Sequence, residues 1–518
     1  MLTNSYTHRT LKGAKLKQKR KPNNKKWKWI HKWFSLWLGF IVIVWALSGI
    51  VLNHRKLVSN IELKRSWMPP AYHFKNWNNS AVKGGCLIAP DSLLLFGNIG
   101  IWLTDEGFST YLPFMEGLPK GMDNRRVAAM VLTPEKNLYA ATQTGLYLWE
   151  GELNKWYKLL LPLKDERITD LRLKDGKLVV LGRSEVYLAT STHKIPDFNQ
   201  LILPAAVNDD GKIGLFRTLW VLHSGELWGI AGRVIVDIMA LSLIFFALTG
   251  YVYFFFPKWI RSRKKRDQDV KKIVTVNRFA VKWHKKLGIW LVFFLLITSL
   301  TGIFLRPPLL IPIAHSRIAR IPYSLLDNPN TWEDKLRAIY WNQQLNHWLI
   351  ATDDGLYFCD EAFQTAPQPF AEQPPVSLMG INVLEYNEQG EYLIGSFNGL
   401  FRWNPITSTI IDGITGELSE KKTNAASPIG RHMIAGRVAT ASQTLVFDYN
   451  TGLLDAEIPM PEEIAGLPMP LWNLALEIHT GRIVQDLIGI GYIFIVPLFG
   501  ITVILILVSG LIIYLRRR

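Results

Sequence analysis

Four stretches of the chain are apolar at nearly every position, and two long stretches between them alternate apolar and polar residues between turn glycines. The first kind runs Trp33 to Leu52, Val234 to Phe256, Leu287 to Leu305 and Leu487 to Leu515, with Asp237 the one charged residue inside them. At about 1.5 Å rise per residue, each is long enough as a helix to cross a hydrocarbon core about 30 Å thick. Alternation with period two marks antiparallel strands. A unit of β run, polar or small pair, glycine and aromatic-rich strand recurs in Tyr139 to Trp149, Trp348 to Phe358 and Tyr392 to Trp403, with weaker copies centred on Gly100, near Glu185 and near Thr444. The spacings are 45 and 40 residues in the first half, then 44 and 45 in the second, a period that belongs to propeller blades. Three such units alone would leave edge strands unpaired, so all six are expected to pack as one propeller-like head built by both halves.

Charge orients these elements. Residues 1–32 carry eleven Lys or Arg and no acid, residues 257–286 carry twelve against Asp267 and Asp269, and the chain ends Arg516, Arg517, Arg518. Basic segments stay on the cytoplasmic side of a membrane, which places both termini inside and the strand-rich stretches outside. The expected order is a cytoplasmic tail 1–32, a first transmembrane helix 33–56, a periplasmic β domain 57–222, a second helix 223–257, a cytoplasmic loop 258–283, a third helix 284–306, a second periplasmic β domain 307–478, a fourth helix 479–515 and a cytoplasmic end 516–518. The predicted fold class is membrane α plus β, with four transmembrane helices in a duplicated 2+2 arrangement. A net charge of +17 would otherwise suggest nucleic acid, but the inside-positive segments account for it, and nucleic acid is not an expected partner; the lipid bilayer is. A basic region precedes the first apolar segment as in a secretory signal, yet twenty apolar residues exceed a signal core and Leu52-Asn53-His54-Arg55 offers no small-residue cleavage site, so it is expected to remain as an anchor. Trp27, Trp29 and Trp33 flank its inner end as an aromatic belt would. Cys86 and Cys359 lie one in each outer stretch and give no disulfide framework.

The two halves align on their histidines. Setting His31 on His284 matches the first and third segments without a gap, and Leu47-Ser48-Gly49-Ile50 then faces Leu300-Thr301-Gly302-Ile303. More loosely, Leu222-His223-Ser224-Gly225 matches Ile478-His479-Thr480-Gly481, and Leu248-Thr249-Gly250 matches Val508-Ser509-Gly510, with four more residues between them in the second half. Small residues are what closely packed membrane helices need at contacts, and they would also leave room for a planar ring.

Haem iron in electron-transfer sites is commonly held by neutral imidazoles projecting inward from facing helices. His31 and His284 fit this at the inner face; at the outer face symmetry pairs His223 with His479, and His54, which has no counterpart, is a third candidate. His31 and His54 are 23 residues apart, about 35 Å along a straight helix. Arg55, Arg233 and Arg482 are placed to pair with haem propionates, since guanidinium binds carboxylate in a two-pronged fork. Asp237, as an acid within a membrane segment, is a functional candidate, with Arg233 four residues away as its simplest partner. There is no GxGxxG after a strand, no Walker loop, no HExxH and no GxSxG. Electrons would have to come from quinol or another separate donor.

The motif His-x-Trp-x-x-x-x-x-Gly followed by Leu-Ser-Gly in His31 to Gly49, its copy from His284 to Gly302, and the His-[Ser/Thr]-Gly openings at His223 and His479 resemble the PepSY-associated transmembrane proteins. That group includes bacterial inner-membrane ferric-siderophore reductases of the FoxB type. The resemblance covers the four helices and implies haem b, two copies, ligated by the helix-end histidines, with a ferric siderophore reduced at the periplasmic face. The outer domains depart from it, having blade-like repeats in place of a PepSY module. The expected function is therefore that of a haem-containing inner-membrane oxidoreductase. The rival is a cofactor-free sensor or binding protein anchored by its helices, in which Trp149 and Trp403 would form a binding face.

Overall fold

The computed structural model describes residues 24–162, 165–314, 316–377, 379–419 and 431–516. Residues 1–23 of the expected tail 1–32, residues 517 and 518 of the expected end, and His8 and His315 lie outside the described residues. Two compact units result: one takes Met1–Ile43, Leu241–Leu300 and Phe499–Arg518, the other Val44–Ala240 and Thr301–Leu498.

Among the described residues, four helical stretches are long and apolar enough to cross a membrane: Lys25–Asn53, Glu226–Lys264, Lys271–Ile303 and Arg482–Leu515. The first and third begin earlier than hydropathy predicts, at Lys25 and Lys271 in place of Trp33 and His284. Lys and Arg are good helix formers whose long stems cover apolar surface while the charge stays in water, so basic flanks extend a helix without interrupting it. Much of the helix surface is bare: Trp37 is 77 % exposed, Phe40 68 % and Leu498 62 %. An apolar surface of that extent suits lipid and would be a liability in water.

The second and fourth spans are broken near their N-terminal ends. His223 belongs to a separate short helix, Leu215–Ser224, and His479 closes another, Leu471–His479. Each short helix is followed by a left-handed glycine, Gly225 at φ +81° and Gly481 at φ +72°. A second unusual glycine precedes the next helical segment, Gly229 at φ +59°, ψ −136° and Gly489 at φ +55°, ψ −142°. Side chains other than glycine rarely adopt either conformation. Gly229 follows Gly225 by four residues and Gly489 follows Gly481 by eight, so the four extra residues of the second half lie between these two glycines.

The alternating stretches form, among the described residues, five four-stranded sheets and one three-stranded sheet, all antiparallel, besides two small two-stranded pairs. The first strands of the six sheets neighbour one another in sequence order. Gly84–Ala89 lies beside Val127–Leu132, that strand beside Ile168–Lys174, and the series continues through Leu336–Asn342, Ile381–Tyr386 and Ile434–Ala439, which lies beside Gly84–Ala89 again. Five of these strands carry a bulge at the same place, between Val127 and Ala129, Ile168 and Asp170, Leu336 and Ala338, Ile381 and Val383, and Ile434 and Gly436.

The glycine of the repeated unit turns the chain from the second strand to the third. Gly145, Gly355 and Gly399 sit at φ +135°, +150° and +135°, and the buried Thr142 and Thr352 hydroxyls donate to the carbonyls of Gly145 and Gly355 at 2.8 Å. In the sixth sheet Thr444 instead opens the second strand, Thr444–Asp448, and the matching turn glycine is Gly452. The sequence copy near Thr444 was thus one hairpin out of step, because alternation alone does not distinguish successive hairpins.

The aromatic residues fill the sheets. Trp403 is fully buried, and Trp149 packs on Phe114 with ring centroids 4.0 Å apart and on Trp156 at 5.4 Å. Neither forms an exposed binding face. Cys86 and Cys359 are buried free thiols.

Candidate functional site

Two imidazole pairs form, one in each unit. In the first, the rings of His31 and His284 have centroids 6.2 Å apart at an interplanar angle of 89°. In the second, those of His223 and His479 are 6.1 Å apart at 53°. Metal–imidazole bonds run about 2.0–2.1 Å. With each ligating nitrogen about 1.1 Å from its ring centre, two imidazoles facing one ion would have centroids roughly 6.3 Å apart. Both pairs have that spacing.

Each imidazole rests on a Ser-Gly or Thr-Gly step of another helical segment. His31 Nδ1 lies 3.1 Å from Ser509 Oγ and 3.0 Å from the Ile506 carbonyl. His284 Nδ1 is 2.8 Å from Thr249 Oγ1. His479 Nδ1 is 3.0 Å from Ser48 Oγ and 3.2 Å from the Trp45 carbonyl, and His223 Nδ1 is 3.4 Å from Thr301 Oγ1. All four hydroxyl residues are buried. The following glycines admit the rings: a Cβ on Gly302 would come within 2.8 Å of His223 Cε1, on Gly510 within 3.1 Å of His31 Cε1, and on Gly49 within 3.3 Å of His479 Cε1. Gly250 makes no such contact.

These bonds determine the tautomer. A carbonyl only accepts, so Nδ1 of His31 and His479 must carry the proton. Thr249 reaches the same result differently: its one hydroxyl proton goes to the Phe245 carbonyl at 2.7 Å, so Oγ1 accepts from His284. Ser509 and Ser48 likewise donate to the carbonyls of Ile506 and Trp45, at 2.7 and 2.8 Å. The lone pair is left on Nε2, the condition for ligating a metal through that atom.

Among the described residues, no group of three or more His, Cys, Asp or Glu is placed to hold a metal ion. Two imidazoles are too few for a tetrahedral zinc site. Two imidazoles per site would suit a cofactor that brings its other donor atoms with it, as haem does.

The remaining sequence candidates are engaged elsewhere and do not join the His223–His479 pair. His54 Nε2 is bound to Asp237 at 2.7 Å, and Asn53 donates to the same carboxylate at 3.3 Å. The expected Arg233 to Asp237 pairing gives way to Arg233 with Glu226 at 2.9 Å, since the left-handed break at Gly225 carries Glu226 back to Arg233. Arg55 forks onto Asp123 at 2.8 and 2.7 Å. Arg482 pairs with Glu477 at 3.0 Å and donates to the Tyr449 hydroxyl at 3.2 Å. All three arginines proposed for propionates therefore already hold a protein carboxylate. Arg306, which the sequence reading passed over, holds none among the described residues. It feels the charges of Arg482 and Glu477, and burial followed by the Arg482 charge lowers its pKa. The duplication offered a signal: Arg306 is the counterpart of Asn53 and the first charge after the third apolar segment.

The family described as the PepSY-associated TM region matches the chain twice, over residues 2–258 and 182–517. No curated protein matches the chain. Among solved structures it is similar to the extracellular domain of a hybrid two-component system from B. thetaiotaomicron, at 11 % identity and TM-score 0.34, over 72 % of this chain and 32 % of that one. It is also similar to PorZ, a surface component of the type-IX secretion system of Porphyromonas gingivalis, at 10 % identity and TM-score 0.30, over 70 % of this chain and 37 % of that one. The chain thus spans about a third of the length of each of these two proteins.

Proposed function

The chain belongs to the family of the PepSY-associated TM region, and from that premise we propose that it is a haem-containing electron-transfer protein of the bacterial inner membrane that reduces a ferric chelate of the siderophore class at the periplasmic face. The observation that carries this reading is the pair of imidazole pairs, each spaced for one ion, with Nδ1–H of His31, His284 and His479 held by a hydroxyl or carbonyl and their lone pair left on Nε2. Haem b bound at each pair would carry one electron at a time. The chain's own residues fix the ring orientations and raise the imidazoles' donor strength through their Nδ1 hydrogen bonds. Near Arg482 and Glu477, Arg306 adds a guanidinium that holds no carboxylate among the described residues.

Duplication is part of this reading: the matching glycine breaks after His223 and His479 and the two overlapping family matches support it. So is the head, whose six sheets we take as blades of one propeller on the strength of their cyclic neighbour relations. Both termini then lie in the cytoplasm and the head in the periplasm, with quinol or another inner-side donor supplying electrons.

The test is an absorption spectrum of the protein purified in detergent, oxidised and then reduced. A Soret band that shifts, with sharp α bands on reduction, is expected, and His284→Ala should remove one component of it. A colourless protein from haem-sufficient cells would sink the proposal and leave the anchored sensor.

A further inference from the structure

The sheets bring an unbalanced set of cations together. Lys83, Arg126 and Arg167 each stand one residue before the first strand of their sheet, at Gly84, Val127 and Ile168. Lys83, from the first sheet, lies within electrostatic reach of Asp170, Arg167 and Arg172 on the third. Arg167 feels Arg183, Arg55, Arg126 and Arg337, which belong to the third sheet, the chain just after the first long helix, and the second and fourth sheets. Residues from so many sheets meet only where the first strands converge. Lys83 and Arg167 are both half-buried.

The nearby carboxylates are already engaged by other cations, Asp353 by Arg337 among them. Asp123 is shared between Arg55 and Arg126, and Asp334 between Arg183 and Arg217. Asp170 pairs with Arg172. Among the described residues, the side chains of Lys83 and Arg167 make no hydrogen bond or ion pair. Half-buried cations short of counter-charge carry a desolvation cost, and a bound anion would offset it. Residues 1–32, 257–286 and 516–518 sum to +24 and the whole chain to +17, so the remainder carries −7, which would favour cationic ligands, but that total does not describe this cluster.

We propose that Lys83, Arg126 and Arg167, where the first strands of the head converge, form a binding site for a multiply charged carboxylate anion, so that the ferric chelate reduced by this protein is of the anionic carboxylate class. The substrate assignment rests on the function proposed above; the anion site does not. Arg55, two residues beyond Asn53 at the end of the first long helix, shares Asp123 with Arg126, which ties the site to the outer end of that helix.

Equilibrium dialysis of the full-length protein in detergent against ferric citrate, at low salt, tests it. Binding is expected, weakening as salt screens the charges, and Arg167→Gln and Lys83→Gln should each weaken it at least about tenfold with unchanged haem spectrum and thermal unfolding. Arg402→Gln, an exposed change on an outer position, should leave it unaltered. Absence of binding, equal binding by the variants, preference for a cationic ferric hydroxamate, or displacement of ferric citrate by an equal concentration of inorganic phosphate would each overturn the site. A haem-replete protein that ignores ferric citrate refutes this inference alone; a haem-free protein that binds it refutes the redox reading alone.

Discussion

Thr249 is the residue whose loss separates an imidazole held for ligation from one that merely sits in a helix bundle. Its hydroxyl is the one acceptor given for His284 Nδ1 among the described residues, at 2.8 Å, whereas His31 has both Ser509 Oγ and the Ile506 carbonyl. Thr249→Val keeps the volume and removes the oxygen. The Nδ1–H then loses its partner beside a buried position, at a cost of about 1–3 kcal/mol. Removing such a partner of a metal-bound imidazole lowers metal affinity by about 10–100-fold. Ser509→Ala leaves His31 its carbonyl, so the expected loss is only a few-fold. Titrating haem into stripped protein, and recording the reduction potential of the inner component, reads both effects. In Thr249→Val the potential should rise by tens of millivolts, because a tenfold change in relative affinity for a one-electron couple is about 59 mV. Equal behaviour of the two variants, or wild-type affinity and potential in Thr249→Val, would refute the claim that these hydroxyls set the tautomer and donor strength of the histidines.

Gly302→Ala would drive a Cβ to 2.8 Å from His223 Cε1; overpacking of this kind costs about 1–3 kcal/mol, and the outer spectral component should be lost while the inner one persists. Trp403→Ala empties a fully buried site in the fifth sheet and should destabilise the head by about 3–5 kcal/mol, read as a lower thermal midpoint with haem content intact. The pKa of Lys83 is held at about 8 by burial, with Arg167 and Arg172 adding to the effect and Asp170 opposing it. Its charge is therefore present below pH 8 and lost as pH rises through it, so ferric citrate affinity should fall across that range in the wild type and stay flat in Lys83→Gln. His54→Gln, which keeps a hydrogen-bonding group for Asp237, should leave haem content unchanged; loss of a haem in this variant would show that the outer pairing has been misassigned.

The pairing of His31 with His284 and of His223 with His479 was legible because duplicated chains place duplicated residues at equivalent positions, and a motif search needs only spacing to find them. The partners of those histidines were legible too, though not their roles. Ser48-Gly49, Thr249-Gly250, Thr301-Gly302 and Ser509-Gly510 stood out as small residues suited to helix packing, while their hydroxyls and close approaches in fact seat the four rings. Composition shows where a small residue stands but not which side chain crosses from another helix to meet it. Arg55, Arg233 and Arg482 show the converse failure: their types fitted propionates, yet each found a carboxylate remote in sequence or across a chain break.

What the sequence determined alone are the properties that depend on near neighbours: four apolar lengths, the charges flanking them, the strand alternation with its turn glycines, and the doubling of the histidines. Tertiary structure decided everything that depends on which distant residues meet. It bent the second and fourth spans at left-handed glycines, committed His54 to Asp237, and brought Lys83 and Arg167 together from separate sheets. Local patterns follow from backbone geometry and solvent, which act within a few residues; an ion pair or an uncompensated charge follows from packing elements tens or hundreds of residues apart, and no single stretch of chain encodes it.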